Sequence, residues 1–386
     1  MSNQCLNSQK KHNIQALDCI QEIIQHRDQY LALSITEPSP RDHGDWTIEN
    51  LDLINTKSDY FRISLYETEK NKTCFLITQK QQALVLLVVS EIQGTLCALL
   101  NIRFEPGLID NVNYTTTIQS TPNNYLRQHG GKGTPFLELA VNPEKHGCVL
   151  LDTENYDWGD LYLSKKKRFL ILKLDQATPP PPGFTWVTKN ALKRMAAVDH
   201  LITNDLRVCI ASMDRNEPVR TPANTPAVVP QGLVIKHQFD YETRDADGLH
   251  IQFFRTQTSV REVTTWIQPL LAGCPPKQIR FVFKEDKGSK LYAVTQSSQF
   301  GLVGKRVWFP ADIWNAAPCR SVFTSAEGGR FWRQLIHIQL LELDREAGNA
   351  VNCESEVVWV SEKQLMAMIA TPLETSLELR MALSLI

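Results

Sequence analysis

The sequence lacks long hydrophobic runs, an excess of charge of either sign, and a leader-like start. No run approaches the roughly 18 apolar residues that a membrane-spanning helix needs. The 41 Lys and Arg residues balance 42 Asp and Glu residues, for a net charge of −1, so the overall charge favours neither nucleic acid nor an anionic membrane. The first residues hold no apolar segment after a basic start, so they predict no signal peptide. We therefore expect a soluble, cytoplasmic protein with no nucleic-acid or membrane partner.

Motifs for metals and common cofactors are also missing. The nine cysteines are odd in number and include no C-x-x-C pair, which indicates neither a disulfide framework nor a zinc site. The sequence contains no H-E-x-x-H motif and no EF-hand loop. It also has no G-x-G-x-x-G, P-loop or G-x-S-x-G pattern. We expect no metal site and no cofactor.

The 386 residues divide into segments of different composition. Apolar residues at spacings of three and four predict an amphipathic docking or dimerisation helix within 14–33. Short β-branched runs between turn residues predict a sheet-rich region over about 60–175. A proline at every fourth position marks an extended connector after residue 211. The expected domains are an N-terminal helical segment at 1–40, a first domain at 41–211, the connector at 212–236 and a second domain at 237–386.

The second half repeats features of the first. Segments 159–175 and 328–344 each run from Gly to Asp over the same interval and hold an apolar strand pattern. Segments 186–207 and 359–380 match with a displacement of 173 residues, each starting with Trp-Val and ending with an acidic residue, Leu and Arg. We therefore expect an α+β chain duplicated in tandem, each half a sheet followed by a closing helix.

A basic run leads into one predicted strand of the first half. Lys165 to Arg168 precede the apolar segment 169–174. Because side chains alternate along a strand, Lys166 and Arg168 would share one face and Lys165 and Lys167 the other. An inward-facing pair of Lys166 and Arg168 would suit a diphosphate. A solvated surface explains the run equally well.

Polar motifs in both halves resemble those of the NDP-hexose 2,3-dehydratases of deoxysugar biosynthesis, over roughly residues 60–386. In the first half the resemblance depends on Glu105-Pro-Gly, on Gln119 to Tyr125 with His129-Gly-Gly, and on Gly159, Lys165, Arg168, Trp186 and Asn204-Asp-x-Arg. In the second half it depends on Arg261-Glu-Val-x-x-Trp-x-Gln-Pro-Leu and Ser325-x-Glu-Gly-Gly-Arg-Phe. Taken alone, the first stretch is equally a turn with a surface loop, and Trp266 equally a core residue.

The resemblance implies two Nudix-like domains, a homodimer and a cofactor-independent lyase. The Nudix box R-E-x-x-E-E is absent, and with it the carboxylates that Mg²⁺-assisted pyrophosphate hydrolysis needs. The implied reaction is 2,3-dehydration, a β-elimination of water, of a nucleotide-activated 4-keto-6-deoxyhexose, with a TDP-linked sugar as the first expectation. The C4 ketone acidifies the C3 proton, so a base, an acid and charge stabilisation suffice.

Site roles are expected at the matched positions. We expect Tyr125 and His129 to form the acid/base pair, with Glu105 as the alternative base. The expected substrate-binding residues, whose amides hold sugar hydroxyls and whose cations hold the diphosphate or the oxyanion, are Arg103, Gln119, Asn124, Lys166, Arg168, Trp266, Gln268 and Arg330. We expect the first half to carry the site, because the matching strand of the second half is nearly uncharged.

Two elements depart from the family pattern. Asn155-Tyr-Asp-Trp-Gly stands where the family carries Gln-Ser-Glu-x-Gly, and Lys165-Lys-Lys-Arg-Phe stands where it carries Lys-Arg-Asn-Arg-Asn. Point charges and an aromatic ring do not replace a bidentate Arg and two amides. Two alternatives stay open: a diverged lyase or isomerase acting on a different natural-product intermediate, sugar or non-sugar, and a non-catalytic homologue that binds a nucleotide-sugar or a partner enzyme.

Overall fold

Strands dominate the chain, and helices are few and short. The computed structural model describes residues 15–31, 34–68, 70–127, 133–213, 219–220, 235–259, 261, 263–313, 316–343 and 356–386. The helices in these ranges are α1 (Ile20–Asp28), α2 (Pro122–Tyr125), α3 (Leu137–Val141), α4 (Lys189–Met195), α5 (Asn204–Ser212), α6 (Glu362–Ala370) and α7 (Leu377–Ala382). The expected α+β class is confirmed.

Twenty-two strands lie in the same ranges. The first twelve are β1 (Ser34–Pro38), β2 (Trp46–Glu49), β3 (Asp52–Asn55), β4 (Arg62–Glu67), β5 (Thr73–Thr78), β6 (Ala83–Ile92), β7 (Thr95–Phe104), β8 (Val112–Thr115), β9 (Ile118–Ser120), β10 (Gly147–Tyr156), β11 (Lys166–Leu174) and β12 (Phe184–Thr188). The others are β13 (Val219–Arg220), β14 (Ile235–His237), β15 (His250–Thr258), β16 (Thr265–Ala272), β17 (Lys277–Asp286), β18 (Ser289–Ser297), β19 (Val307–Pro310), β20 (Ala316–Ser325), β21 (Leu335–Leu343) and β22 (Val357–Ser361).

Local sequence explains where the main elements form. The continuous apolar run of β6 is buried on both faces, which suits a strand lying between β7 and the parallel β11. Helix α5 begins where the Thr203 side chain accepts a hydrogen bond from the backbone N–H of Leu206. Ser361 and Gln364 form a capping box at the start of α6, and Ser376 caps α7.

Two sheets, one in each half, have the same strand order. In the first half β12, β7, β6, β11 and β10 follow one another, and in the second half β22, β18, β17, β21 and β20 do. Strands β6 and β11 are parallel to each other, and so are β17 and β21. All other neighbouring strands in these two orders are antiparallel. Trp186 lies on β12, paired with β7, and Trp359 lies on β22, paired with β18.

Two strands are exchanged between the halves. Strand β1, from the start of the chain, pairs with β15 of the second half. Strand β14, from the start of the second half, pairs with β4 of the first half. One large hydrophobic cluster correspondingly contains buried residues of both halves, among them Leu87, Phe281 and Leu379. The halves therefore share a core.

Glycine loops allow the halves to approach closely. The N–H of Gly107 donates to the carbonyl of Gly328 at 2.8 Å, and the N–H of Gly301 donates to the carbonyl of Gly159 at 2.7 Å. A Cβ atom on Gly107 would lie 1.8 Å from the carbonyl oxygen of Phe331. No side chain fits at this position unless the backbones separate.

We expect Gly107→Ala to lower the free energy of unfolding by about 3 kcal/mol, because the clash is with backbone and cannot be relieved by a rotamer change. Gly288→Ala is the control, since a Cβ there meets nothing within 4 Å and only the positive φ of 78° is unfavourable. That control should cost about 1 kcal/mol. Urea unfolding of both variants tests this, and equal costs would contradict the close approach.

Several expectations about organisation differ from the structure. Within the predicted range 14–33 the structure has the shorter helix α1, Ile20–Asp28, after which the chain enters β1. Of the apolar residues of α1 only Ile23 is fully buried. The prolines of the expected connector lie outside the described residues. None of the described helices is long and apolar enough to cross a membrane.

Candidate active site

A cavity of about 490 Å³ lies where the two halves meet. Its cationic lining residues are Lys57, Arg103, Arg127, Lys167, Arg255, Arg261 and Arg330. The lining carboxylates are Asp45, Glu105, Asp205 and Glu327. The lining aromatic residues are Trp46, Tyr60, Phe61 and Trp266. Seven cations against four carboxylates and a partly aromatic wall suit an anionic ligand that also carries a ring.

Glu105 directly follows β7, and two contacts orient its side chain. The Arg103 Nε donates to Glu105 Oε1 at 2.6 Å. The N–H of Gly329, from the second half, donates to Glu105 Oε2 at 3.2 Å. Arg103 also donates to the carbonyl of Gln119 on β9, and the Gln119 side chain accepts from Thr115 at 2.6 Å. The Glu105 side chain is 3 % exposed and is therefore held in one place within the cavity wall.

A buried ion-pair network forms the floor beside Glu105. Lys165 Nζ lies 2.9 Å from Asp157 Oδ2 and 2.8 Å from Glu327 Oε2. Lys167 Nζ lies 3.0 Å from Asp157 Oδ2 and donates to both oxygens of Asp205, at 3.0 and 3.1 Å. Strand β11 and the residues before it thus supply the cations, and the start of α5 and the second-half loop supply two of the three carboxylates.

Burial and charge in this network oppose each other. Burial raises the pKa of Glu327, but Lys165, Lys167 and Arg330 outweigh it and hold that pKa well below its usual value. The pKa of Lys167 is raised because Asp157 and Asp205 outweigh the effect of burial. Burial keeps the pKa of Asp205 above its usual value. The network therefore holds Glu327 ionised and Lys167 protonated.

Tyr162 also belongs to the network, through contacts with Glu327 and Lys165. Its hydroxyl donates to Glu327 Oε2 at 2.8 Å, and Lys165 Nζ lies 3.9 Å from the centre of its ring. Burial, together with the charge of Glu327, raises the pKa of Tyr162 well above its usual value. The phenol is therefore a neutral donor that fixes one oxygen of Glu327.

The second half supplies a further part of the wall. Trp266 Nε1 donates to Gln268 Oε1 at 2.8 Å on β16. The Arg330 guanidinium lies 4.0 Å from the centre of the Phe61 ring. Arg261 donates to the carbonyl of Phe104 at 2.9 Å. The cavity is built from both halves, whereas the sequence predicted a site in the first half.

Seven of the predicted site residues line this cavity. They are Arg103, Glu105, Gln119, Asn124, Trp266, Gln268 and Arg330. Tyr125, Lys166 and Arg168 are not among its lining residues. His129 lies outside the described residues. The structure thus brings the amides and Glu105 together with the cations, and places the predicted catalytic Tyr125 elsewhere.

The basic strand faces the opposite way from the expectation. Lys165 and Lys167 are buried towards the network, while Arg168 pairs with Asp152 on the other face, with two contacts of 2.7 Å. Lys166 is half-buried on the same side as Arg168. The alternation itself is correct. Its phase is the reverse of the expected one, because Asp157 and Asp205, the carboxylates that Lys167 contacts, lie on the side of the strand that faces the network.

Tyr125 packs against a separate hydrophobic cluster that contains Leu86, Leu139 and Leu170. Burial raises the pKa of Tyr125, and the charge of Arg168 opposes that shift. We expect Tyr125→Phe to keep kcat within about twofold, because Tyr125 is not among the residues that line the cavity. Steady-state kinetics of the variant test this, with the melting temperature as the control for folding. A loss of about 10²-fold or more would restore Tyr125 as an acid/base group.

Neither the buried ion-pair network nor the part of the cavity wall formed by Trp46, Tyr60 and Arg255 was predicted from the sequence. Asp205 and Glu327 lie inside motifs that carry the resemblance, which was the available signal, but nothing in the sequence indicated that they meet. Trp46, Tyr60 and Arg255 belong to no motif. The fold brings these three residues, which are far apart in the sequence, to one cavity.

Comparison with known proteins adds the decisive observation for this site. The family model for NDP-hexose 2,3-dehydratase matches residues 18–213, half of the chain. The chain belongs to the NDP-hexose 2,3-dehydratase family. The resemblance predicted from the motifs is confirmed, and with it the enzyme class, a dehydratase of nucleotide-activated hexoses.

Three curated relatives share one name, dTDP-4-dehydro-6-deoxy-alpha-D-glucopyranose 2,3-dehydratase. The relative from Streptomyces violaceoruber is 24% identical over 343 residues, covering 75% of this chain and 77% of that protein. Those from Saccharopolyspora spinosa and Amycolatopsis orientalis are 23% and 27% identical and match 46% and 36% of this chain. These two matches span only 37% and 29% of the relatives' own length.

Proposed function

We propose that this member of the NDP-hexose 2,3-dehydratase family removes water across C2 and C3 of a dTDP-linked 4-keto-6-deoxyhexose in the cavity between its halves. The observation that carries the proposal is the composition of the cavity wall, in which arginines and aromatic rings surround the carboxylates Glu105 and Glu327. A volume of about 490 Å³ lies within the usual range for sites of small organic ligands. The three curated relatives carry the name of this reaction.

We propose Glu105 as the general base. The carboxylate removes the proton from C3, and the electron pair forms an enolate at the C4 oxygen. The protonated carboxyl then returns this proton to the C2 hydroxyl as the C2–O bond breaks, and water leaves. The resulting enol tautomerises to a 3,4-diketo-2,6-dideoxy sugar. Arginines on the cavity wall stabilise the enolate oxygen, so the chain's own residues suffice for the elimination.

The other lining residues divide by chemistry. Guanidinium groups such as Arg261 and Arg330 bind the diphosphate, because their forked donors match phosphate oxygens. The rings of Trp46 and Trp266 provide flat apolar surfaces for the nucleotide base. Gln119 and Asn124 bind sugar hydroxyls, as their side-chain amides both donate and accept.

The departures from the family pattern lie mostly behind the cavity. Of residues 155–169, only Lys167 lines it. Asp157 and Lys165 instead pair with each other within the buried network. This placement favours the family's substrate class over a different intermediate, because all of the altered residues except Lys167 lie outside the cavity lining.

We further propose that the two halves are Nudix-like duplicates and that the chain forms a homodimer. The equal strand orders of the two sheets and the matched positions of Trp186 and Trp359 support the duplication. When the two halves are aligned so that Gly159 matches Gly328, Gln334 stands at the position of Lys165 and Ile336 at that of Lys167. The second copy therefore lacks the cations of the network, which explains the different roles of the halves.

The test of this function is turnover of dTDP-4-keto-6-deoxyglucose by the purified chain with no added cofactor. We expect a product lighter by one water, seen by mass spectrometry, and incorporation of solvent deuterium at C2 after the enol tautomerises. Recovery of unchanged substrate under conditions in which the nucleotide-sugar binds would refute the proposal.

A further inference from the structure

We propose that Glu327, a residue of the second half, contacts the sugar of the substrate directly and accepts hydrogen bonds from its ring hydroxyls, with Tyr162 and Lys165 as the residues that position it. This inference rests on the proposed function, because it assumes that a nucleotide-sugar occupies the cavity. It adds a specificity-determining residue that lies beyond the part of the chain matched by the family model.

The two carboxylate oxygens of Glu327 differ in their hydrogen-bond partners. Oε2 accepts from Tyr162 at 2.8 Å and from Lys165 at 2.8 Å. Oε1 has no hydrogen-bond partner within the part of the chain that the structure describes. The side chain is 15% exposed and lines the cavity, whereas the neighbouring Asp157 is 1% exposed and does not. Glu327 is thus anchored by one oxygen and presents the other to the ligand.

The charge of Glu327 determines what it can bind. Lys165, Lys167 and Arg330 favour its ionised form, and a carboxylate only accepts hydrogen bonds. A sugar hydroxyl can donate to it, whereas the C4 ketone and the diphosphate cannot. The carboxylate therefore orients the sugar and keeps the diphosphate towards the arginines of the wall.

Glu327 also lies close to the proposed base. Gly328 and Gly329 follow it in the chain, and a Cβ atom on Gly328 would lie 3.0 Å from the Cβ of Glu105. The Gly329 N–H donates to Glu105 Oε2. One short segment therefore fixes both carboxylates relative to each other, so a hydroxyl bound at Glu327 helps to place C3 near Glu105.

The experiment compares two ligands, dTDP and dTDP-glucose, by calorimetric titration of wild type and Glu327→Gln. Loss of a hydrogen bond to a charged group should weaken dTDP-glucose by about 10- to 100-fold. Binding of dTDP, which lacks the hexose, should stay within about twofold. Tyr162→Phe keeps the carboxylate of Glu327 but removes one hydrogen bond that positions it. We expect it to weaken dTDP-glucose selectively as well, but by a smaller factor.

A matched control comes from the second half. Glu378 is a buried carboxylate that pairs with Lys277 at 2.7 Å and does not line the cavity. Glu378→Gln should bind both ligands as wild type does. If Glu327→Gln weakened both ligands equally, or neither, the inference would be wrong. If Glu327→Gln failed to fold, the ligand comparison in Tyr162→Phe would decide it, and equal effects on both ligands there would overturn it.

The binding test is independent of turnover. If wild type binds both ligands but dehydrates nothing, the proposed function fails while the ligand comparison still tests Glu327. If turnover is confirmed and the comparison shows no selective loss, only the role of Glu327 fails.

Discussion

Glu105→Gln should lower kcat by about 10²- to 10⁴-fold, because it removes the group that takes the C3 proton. The amide has nearly the same shape and can still accept from Arg103, but it cannot also accept from the Gly329 N–H, so we expect the melting temperature to fall moderately while the protein still folds. Affinity for dTDP-glucose should change little, because proton transfer is not part of ground-state binding. Rate measurements with dTDP-4-keto-6-deoxyglucose and titrations with dTDP-glucose give the two quantities separately.

The control for Glu105→Gln is Glu37→Gln on the exposed face of β1, which changes the net charge equally. It should leave kcat and binding as in wild type. A Glu105→Gln enzyme with native kcat would exclude Glu105 as the base. Tyr60 and Glu327 would then be the remaining groups to test.

Lys167→Met should lower the free energy of unfolding by about 3–5 kcal/mol, the usual cost of removing one partner from a buried ion pair. Asp157 and Asp205 would lose a cation 3.0 Å away, and of the two lysines in the network only Lys165 would remain. The double variant Lys167→Met with Asp205→Asn removes one carboxylate as well, and we expect it to regain part of the loss. Urea unfolding of the double variant and of each single variant, Lys167→Met and Asp205→Asn, measures the coupling.

The pH dependence of this effect has a defined sign. In wild type the pKa of Glu327 is lowered, so its contribution to stability is present above about pH 4.5, the usual value, and is lost as the pH falls through the folded value. Without Lys167, burial is opposed by less positive charge, and Glu327 and Asp157 are protonated more easily. The cost of Lys167→Met should therefore be larger at pH 8 than at pH 5. A cost independent of pH would show that lost packing, and not charge, dominates.

The sequence predicted those parts of the fold that depend on local patterns. The apolar run of β6 and the strand β11 form where their composition indicated, because a buried strand needs continuous apolar residues. The exchange of β1 and β14 between halves was not predictable. It depends on which sheet edge each strand meets in three dimensions, and no periodicity encodes that.

The sequence predicted several residues of the site but not the way in which they are arranged. Glu105 and Gln119 were found because their motif is compact in sequence, and both line the cavity. The orientation of the basic strand was wrong, since the buried acceptors that fix it come from α5 and from residue 327. Both lie far from the strand in the chain. The alternation of side chains along β11 does not say which face points inward. Ion pairs with residues far away in the sequence determine that face.

A structure of the chain with dTDP-glucose bound tests the central claim most directly. We expect the diphosphate against arginines of the cavity wall, and the sugar with C3 facing Glu105 and a ring hydroxyl within hydrogen-bond distance of Glu327 Oε1. A ligand bound instead on the other face of β11, against Tyr125, Lys166 and Arg168, would contradict the account.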